Sequence, residues 1–162
     1  MWGKLGYGAL LTAEALTNLS ISDYIAHPRY RPLHVAMCSE LMQLALAEDV
    51  QPLGFNGYDP DAFISGDDAA IDATLRAMDE FNRGNAKSHS GIWRDIAVRK
   101  RKTEVPQQIG PAVARGQARG MAMPLTAKLI ELIEDVEEGR REQCEDTADV
   151  LLEMVVGIEA KL

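Results

Sequence analysis

The chain has 162 residues and a formal net charge of −8, and hydrophobic residues make up 46% of it. This length is typical of one domain with a sizeable core. No apolar run approaches the ~18 residues of a membrane helix, and a pI of about 4.9 argues against nucleic-acid binding. Cys38 and Cys144 are too few for a disulfide framework and indicate a reducing compartment. We therefore expect a cytoplasmic protein that binds neither membranes nor nucleic acid.

The acidic side chains are concentrated near the C-terminus. Residues 131–162 hold eleven acidic and three basic side chains, whereas residues 1–130 hold fourteen of each. We therefore expect a neutral helical body over residues 1–139 and an acidic helical extension of the same domain over residues 140–162.

Helical periodicity dominates the first half of the chain. Residues 3–19 are apolar on most sides, which predicts a helix in the centre of the core. Residues 20–32 form a connector, in which Ser22 or Asp23 is able to cap a short turn. Pro32 is suited to the first turn of a second helix. The apolar face of that helix contains Leu33, Met37, Leu41 and Leu44. Two prolines and three glycines then predict a loop over residues 51–66, before Ser65 or Asp67 caps a third helix.

The second half of the chain predicts further helices and no strand. A fourth helix begins at Ser88 or Ser90 and runs into a basic cluster, and Thr103 is a suitable N-cap for the next. Pro111 should kink that helix or restart it. Pro124 opens another helix, and a last helix covers residues 143–160. These segments predict an all-α fold of about six to seven helices without a sheet.

The most basic segment, "RDIAVRKRKTEVP" at residues 94–106, contains four consecutive cations from Arg99 to Lys102. On a helix, consecutive side chains point around the axis and do not share a face. A nucleic-acid surface would also contain aromatic platforms, and only Trp93 is near. We interpret the run as the solvated end of a helix whose positive charge complements the helix dipole.

Several short motifs follow one another in a specific order. They are "WGKL" at the start of a helix, "HSGIWRD", "KTEV", a glycine six residues after Glu104, and "RGMAMPLTAKLIELI". Each motif is short, and their order and spacing carry the similarity. In this order the chain resembles the C-terminal helical domain of ketopantoate reductases (2-dehydropantoate 2-reductases).

The resemblance implies roles for specific residues. In this family a helix-opening lysine donates a hydrogen bond or proton to the 2-keto oxygen of the substrate, and a glutamate orients the substrate and that lysine. The corresponding catalytic residues here are Lys4 and Glu104. A family serine that holds the substrate carboxylate corresponds to Ser88 or Ser90, although either serine would also serve as a helix cap. The general chemistry is sound, because a fixed ammonium stabilises the oxyanion that develops on a ketone.

The chain departs from the family pattern at several substrate-binding positions. Asparagines of the family are replaced by Gly8, Thr12 and Ser22, which are the candidate substrate-binding residues at these positions. The aspartate and asparagine that follow the family glutamate are replaced by Pro106 and Ile109. We therefore expect a small 2-keto acid substrate with fewer hydroxyl groups than ketopantoate.

The resemblance also implies a cofactor, NADP(H), which in this family is bound by an N-terminal dinucleotide-binding domain. The sequence has no Gly-rich phosphate-binding motif, so we expect no cofactor-binding residue within it. His27, His34 and His89 have no partners at metal-ligand spacing, so we expect no metal site. Because Met1 falls at the expected domain boundary, we expect a fragment of a longer enzyme, with a split gene product as the alternative. In either case the chain alone should be inactive.

Two classes of function remain open from the sequence. The chain is the substrate-binding half of an NADPH-dependent 2-keto-acid reductase, or it is a non-catalytic helical module for self-association or partner binding. In both cases we expect a homo-oligomer, a dimer or larger, because the apolar first helix would lie near an exposed face.

Overall fold

The computed structural model describes residues 1–159, which form nine α-helices and one short 3₁₀ helix, Pro28–Tyr30. The helices are α1 (Trp2–Glu14), α2 (Ile21–Ala26), α3 (Arg31–Ala47), α4 (Pro60–Ser65), α5 (Asp68–Arg83), α6 (Gly91–Ala97), α7 (Val105–Ala118), α8 (Pro124–Glu137) and α9 (Glu145–Glu159). These residues contain no strand, only an isolated bridge between Phe55 and Tyr58. The all-α prediction is therefore confirmed, but the described residues form nine α-helices and not six to seven, because the short helices α2 and α4 lie in segments predicted as a connector and a loop. None of the described helices is long and apolar enough to cross a membrane.

Helix α1 lies in the centre of the core, as its apolar sequence predicts. Leu10 and Ala13 are fully buried, and α1 packs along α3. Two glycines allow the loop before α4 to approach closely. A Cβ on Gly3 would lie 1.9 Å from the Leu53 carbonyl oxygen, and a Cβ on Gly6 would lie 2.3 Å from the Tyr58 hydroxyl. Side chains at these positions would therefore separate α1 from that loop.

Helix α9 packs against the rest of the molecule. Its apolar face is buried in the common core and contains Ala148, Leu151 and Val155. Polar contacts fix its position, because Asp149 pairs with Arg29 and the Gln143 amide donates to the Ala15 carbonyl at 2.8 Å. The acidic segment is therefore bound to the body by both apolar and ionic contacts. The predicted end of this helix at residue 160 lies outside the described residues.

Side-chain caps begin several helices. Asp67 accepts from the Ala70 N–H at 2.7 Å at the start of α5, and Ser90 accepts from the Trp93 N–H at 3.0 Å at the start of α6, as the sequence predicted. Helix α2 is capped by Ser20, which accepts from the Asp23 N–H at 3.1 Å, and not by the predicted Ser22 or Asp23. The Thr103 hydroxyl accepts from the Val105 N–H at 3.3 Å, but Thr103 lies two residues before α7 begins and Glu104 occupies the N-cap position, so the prediction of Thr103 as N-cap is wrong by one residue.

Two further predictions about local structure are wrong, and a third is wrong in part. The predicted loop over residues 51–66 contains α4, because Asp59 caps that helix and Pro60 occupies its first turn. Helix α7 continues through Pro111, so the helix does not restart there, and a kink at Pro111 stays a prediction. The cations from Arg99 to Lys102 follow α6 in a loop, since α6 ends at Ala97 and Lys100 has a left-handed backbone with φ of 51°.

Candidate functional site

A groove of about 880 Å³ opens between one face of α1, the C-terminal end of α3 and the first three turns of α7. Its walls are largely apolar, with Trp2, Leu5, Ile109, Pro111 and Ala112 among the lining residues. A concave, mostly apolar site with a few polar groups is typical of small-molecule binding. The groove is therefore the candidate site in the described part of the chain.

One wall of the groove contains three of the predicted site residues. Lys4, Gly8 and Thr12 all line it, because a spacing of four residues places them on one face of α1. A Cβ on Gly8 would meet no atom within 4 Å, so the groove widens at this position. The Thr12 hydroxyl donates to the Gly8 carbonyl at 2.8 Å. Thr12 can therefore only accept a hydrogen bond from a ligand.

The opposite wall of the groove contributes amides from α7. Gln107 and Gln108 are exposed in its first turn and line the groove. Glu104 is exposed and is not among the lining residues, but its carboxylate accepts from the Gln108 side-chain amide at 3.4 Å. Gln108 therefore connects Glu104 to the groove by a long hydrogen bond. The catalytic roles of Lys4 and Glu104 stay predictions.

An acidic residue at the rim of the groove is neutralised by two arginines. The Glu48 side chain is 3% exposed and receives a two-pronged contact from Arg115, with distances of 2.7 and 2.5 Å. Arg119 adds a third contact at 3.2 Å, and the Arg115 guanidinium lies 5.8 Å from the centre of the Trp2 ring. In this environment the groove contains no uncompensated acid, and Lys4 makes no ion pair with the described residues. Sequence analysis missed these residues, because Glu48 and Arg115 are far apart in the chain.

The three predicted serines lie away from the groove lining. Ser22 is buried in the first turn of α2, and the Ser88 carbonyl accepts from the Ile21 N–H at 2.8 Å. Ser90 is buried as the cap of α6. A role for these serines in substrate binding stays a prediction, and their observed contacts are structural.

Glu14, at the end of α1, forms a buried polar contact that the sequence did not indicate. Its carboxylate lies 3.2 Å from His89 Nδ1, and the His89 ring stacks on Trp93 with centres 3.9 Å apart. Burial raises the pKa of Glu14 to about 7, and contacts with Ser90 and His89 oppose this rise. Neither Glu14 nor His89 is among the residues that line the groove, and Glu14 lies ten residues after Lys4, about 15 Å along the helix.

His34 is a second buried titratable group of the core. Neither ring nitrogen has a hydrogen-bond partner among the described residues, and its ring packs edge-on against Tyr24, with centres 4.9 Å apart. Burial lowers the pKa of His34 to about 3, so the ring is neutral in the folded protein. This histidine is therefore a core residue and not a ligand on the surface.

No metal or dinucleotide site is evident among residues 1–159. This range contains no group of three or more histidine, cysteine or acidic residues that could hold a metal ion. It also contains no strand leading into a helix, which is the unit that binds the pyrophosphate of a dinucleotide. Cys38 is a buried free thiol, and burial raises its pKa to about 12, so it is a poor nucleophile.

Comparison with known proteins gives the family of this chain. Neither the curated proteins nor the solved structures contain a significant match. The model of one protein family, described as "Ketopantoate reductase PanE/ApbA C terminal", matches residues 1–137, which include α1 to α8 and every residue of the groove. The resemblance carried by the short motifs is thus confirmed, and the chain belongs to the family of ketopantoate reductase C-terminal domains.

Proposed function

We propose that this chain is the substrate-binding and catalytic-residue domain of an NADPH-dependent 2-keto-acid reductase. The observation that carries the proposal is the face of α1 formed by Lys4, Gly8 and Thr12, which lines the groove opposite α7. The family membership supports the reaction class, since the family is that of ketopantoate reductases.

Lys4 is the group that would stabilise the reaction's developing charge. When hydride reaches the carbon of a 2-keto group, negative charge grows on the keto oxygen. An ammonium at the apolar groove is well suited to donate a hydrogen bond to that oxygen and then a proton. The nicotinamide cofactor supplies the hydride, but the described residues do not fit this cofactor, so it would be held by a separate dinucleotide-binding domain.

The groove favours a substrate with an apolar tail. Gly8 leaves open space where a larger polar side chain would fit, and Thr12 has already committed its hydrogen to the helix backbone. Gln107 and Gln108 are the nearest amides, and they lie on the other wall. On the α1 side a substrate hydroxyl could pair only with Lys4 or by donating to Thr12, because the amides of the family are absent there, and a hydroxyl left unpaired costs about 1–3 kcal/mol. We therefore propose a 2-keto acid with fewer hydroxyl groups than ketopantoate.

Binding of 2-oxoisovalerate, a branched apolar 2-keto acid, tests this proposal with the chain as it exists. We expect the acid to shift the NMR signals of groove residues on α1 and α7, and Lys4→Gln to weaken binding about tenfold, which is the effect of losing ~1.4 kcal/mol. Lys128→Gln is the matched control, because Lys128 pairs with Glu131 outside the groove lining. Equal binding by wild type and Lys4→Gln would refute the proposal, and ketopantoate binding more tightly than 2-oxoisovalerate would refute the substrate class.

A second candidate function, self-association, is favoured by an exposed apolar patch near the groove. The exposed apolar residues here are Met1, Val50, Leu53 and Phe55, and Leu53 is 78% exposed. Met1 and Val50 also line the groove. We propose that this patch forms a homo-oligomer interface, since exposed apolar clusters are often interaction sites.

Sedimentation of wild type and of Leu53→Glu tests the interface. We expect the wild type to form a dimer or larger species and the variant to sediment as the 17.8 kDa chain. A monomeric wild type at high micromolar concentration would exclude this interface. That result would leave the keto-acid proposal intact, because the two tests measure different properties.

A further inference from the structure

The basic loop after α6 forms part of a second, smaller pocket. This pocket has a volume of about 280 Å³ and shares no lining residue with the α1–α7 groove. Its cations come from two distant parts of the chain and comprise Lys100, Arg101, Lys102 and Arg141. Ile96 and Val136 provide its apolar surface. The fold thus brings together positive charges that are separate in the sequence.

Two partly buried aspartates hold the arginines of this basic pocket. Asp95 contacts Arg99 at 2.5 Å and Arg101 at 3.0 Å, and its side chain is 16% exposed, against 61% for Arg101. Asp135 is similarly shielded, at 15% exposed, and it contacts Arg141 at 3.4 Å. Both acids are therefore less exposed than the arginines that they contact, and neither aspartate lines the pocket. This arrangement fixes the guanidinium groups while leaving further N–H donors on each of them.

The remaining charged groups at the basic pocket are two lysines and two glutamates. Lys100 is exposed and forms no ion pair with the described residues, and its backbone has the left-handed conformation that lysine seldom adopts. Lys102 contacts Glu138 at 3.3 Å but is 73% exposed. Glu137 is the one acid among the lining residues, and its carboxylate already accepts from the Thr103 N–H at 2.7 Å.

We propose that the basic pocket binds a small phosphate-bearing anion. Several cations that meet from different segments match the distributed oxygens of a phosphate group, and guanidinium forks bind such oxygens in pairs. The volume is below that of most drug-sized sites, so the ligand is a compact phosphate or diphosphate group. A nucleic acid would need a far larger surface.

The net charge of the protein makes this site depend on short-range contacts. A chain with a net charge of −8 repels anions at long range, and salt at physiological strength screens that repulsion beyond about 8 Å. Binding is therefore governed by the cations of the pocket. Removing one of them should weaken binding much more than removing a lysine elsewhere.

Titration of the ¹⁵N-labelled chain with inorganic pyrophosphate, at constant ionic strength, tests the proposal. We expect saturable shifts of the amide signals of Lys100 and Arg141, and a loss of affinity of about fivefold in both Lys100→Gln and Arg141→Gln. Lys87→Gln is the control for charge alone, because Lys87 is also exposed and its replacement removes the same single positive charge. Lys4→Gln is the control for binding in the α1–α7 groove.

The outcomes of this titration are decisive. Affinity that falls in the two pocket variants but not in Lys87→Gln or Lys4→Gln supports the site. Shifts that do not saturate, or an equal loss in Lys87→Gln, would show general charge attraction and overturn the proposal. A loss only in Lys4→Gln would place the anion in the groove and overturn it as well. Thermal melting of each variant checks that the fold is intact.

Discussion

Replacement of Glu14 by glutamine is expected to change how stability depends on pH. The pKa of Glu14 is raised by burial to about 7, whereas an exposed glutamate has a value of ~4.3. The folded protein therefore binds this proton more tightly than the unfolded chain does. The stability that Glu14 contributes is fully present below about pH 4.5 and is lost as the pH rises through 7. Glutamine resembles the protonated side chain and does not titrate.

The size of the effect follows from the pKa of Glu14. A shift from 4.5 to about 7 corresponds to roughly 3 kcal/mol, at 1.36 kcal/mol for each pH unit. His34 acts in the opposite direction, because its pKa is lowered to about 3. The stability from His34 is present above about pH 6.5 and is lost as the pH falls toward 3. The free energy of the variant must therefore be compared with that of the wild type at each pH, which removes the contribution of His34.

Urea unfolding at pH 5 to 8 measures this difference. We expect Glu14→Gln to match the wild type near pH 5 and to exceed its free energy of unfolding by about 2–3 kcal/mol at pH 8. Asp95→Asn is the control, since Arg101 and Arg99 lower the pKa of Asp95 and its titration falls below this pH range. His89 and Tyr24 are the other titratable groups near Glu14, and the variant also replaces the carboxylate that His89 contacts with an amide. A difference between Glu14→Gln and wild type that stays constant from pH 5 to 8 would refute the reasoning.

Three further predictions concern α1, the groove rim and the cofactor. Gly8→Ala should raise the free energy of unfolding by about 0.5–1 kcal/mol, because a Cβ at Gly8 meets only open space. Gly6→Ala should lower the free energy of unfolding, because a Cβ at Gly6 would lie 2.3 Å from the buried Tyr58 hydroxyl. Urea unfolding of both variants checks this pair, and the opposite order would contradict the packing described for α1. Glu48→Gln should lower the free energy of unfolding by about 1–2 kcal/mol, because it weakens the contacts with both arginines. An unchanged free energy of unfolding would mean that these contacts contribute nothing to stability. Calorimetry should detect no micromolar binding of NADPH to the chain, since the described residues form no strand–turn–helix unit, and tight binding would disprove this prediction.

The main helices could be predicted from local sequence because their signals are local. The periodic apolar residues of α3 and the caps at Asp67 and Ser90 depend on neighbours within a few residues. Helix α4 was missed because Pro60 was interpreted as a sign of a loop, although Asp59 supplies a cap and Pro60 fits the first turn of a helix. The basic loop was misplaced because no glycine or proline marks the end of α6 at Ala97, and Lys100 takes the left-handed conformation that usually favours glycine.

The groove was partly predictable from the sequence, because one of its walls is formed by a single helix. The spacing of Lys4, Gly8 and Thr12 along one helix fixes their common face without knowledge of the fold. The amides of α7 and the contact between Glu48 and Arg115 join residues that are far apart in sequence. The pairing of Glu14 with His89 spans 75 positions. Such contacts depend on how the helices pack, and helical periodicity does not determine that.

The most direct test of the proposed function is a crystal structure of the chain with bound 2-oxoisovalerate. The account predicts that the keto oxygen lies about 2.7–3.2 Å from the Lys4 Nζ, with the branched tail against the apolar wall of the groove. A keto acid bound elsewhere on the molecule, or one in the groove with its keto oxygen out of reach of Lys4, would contradict it.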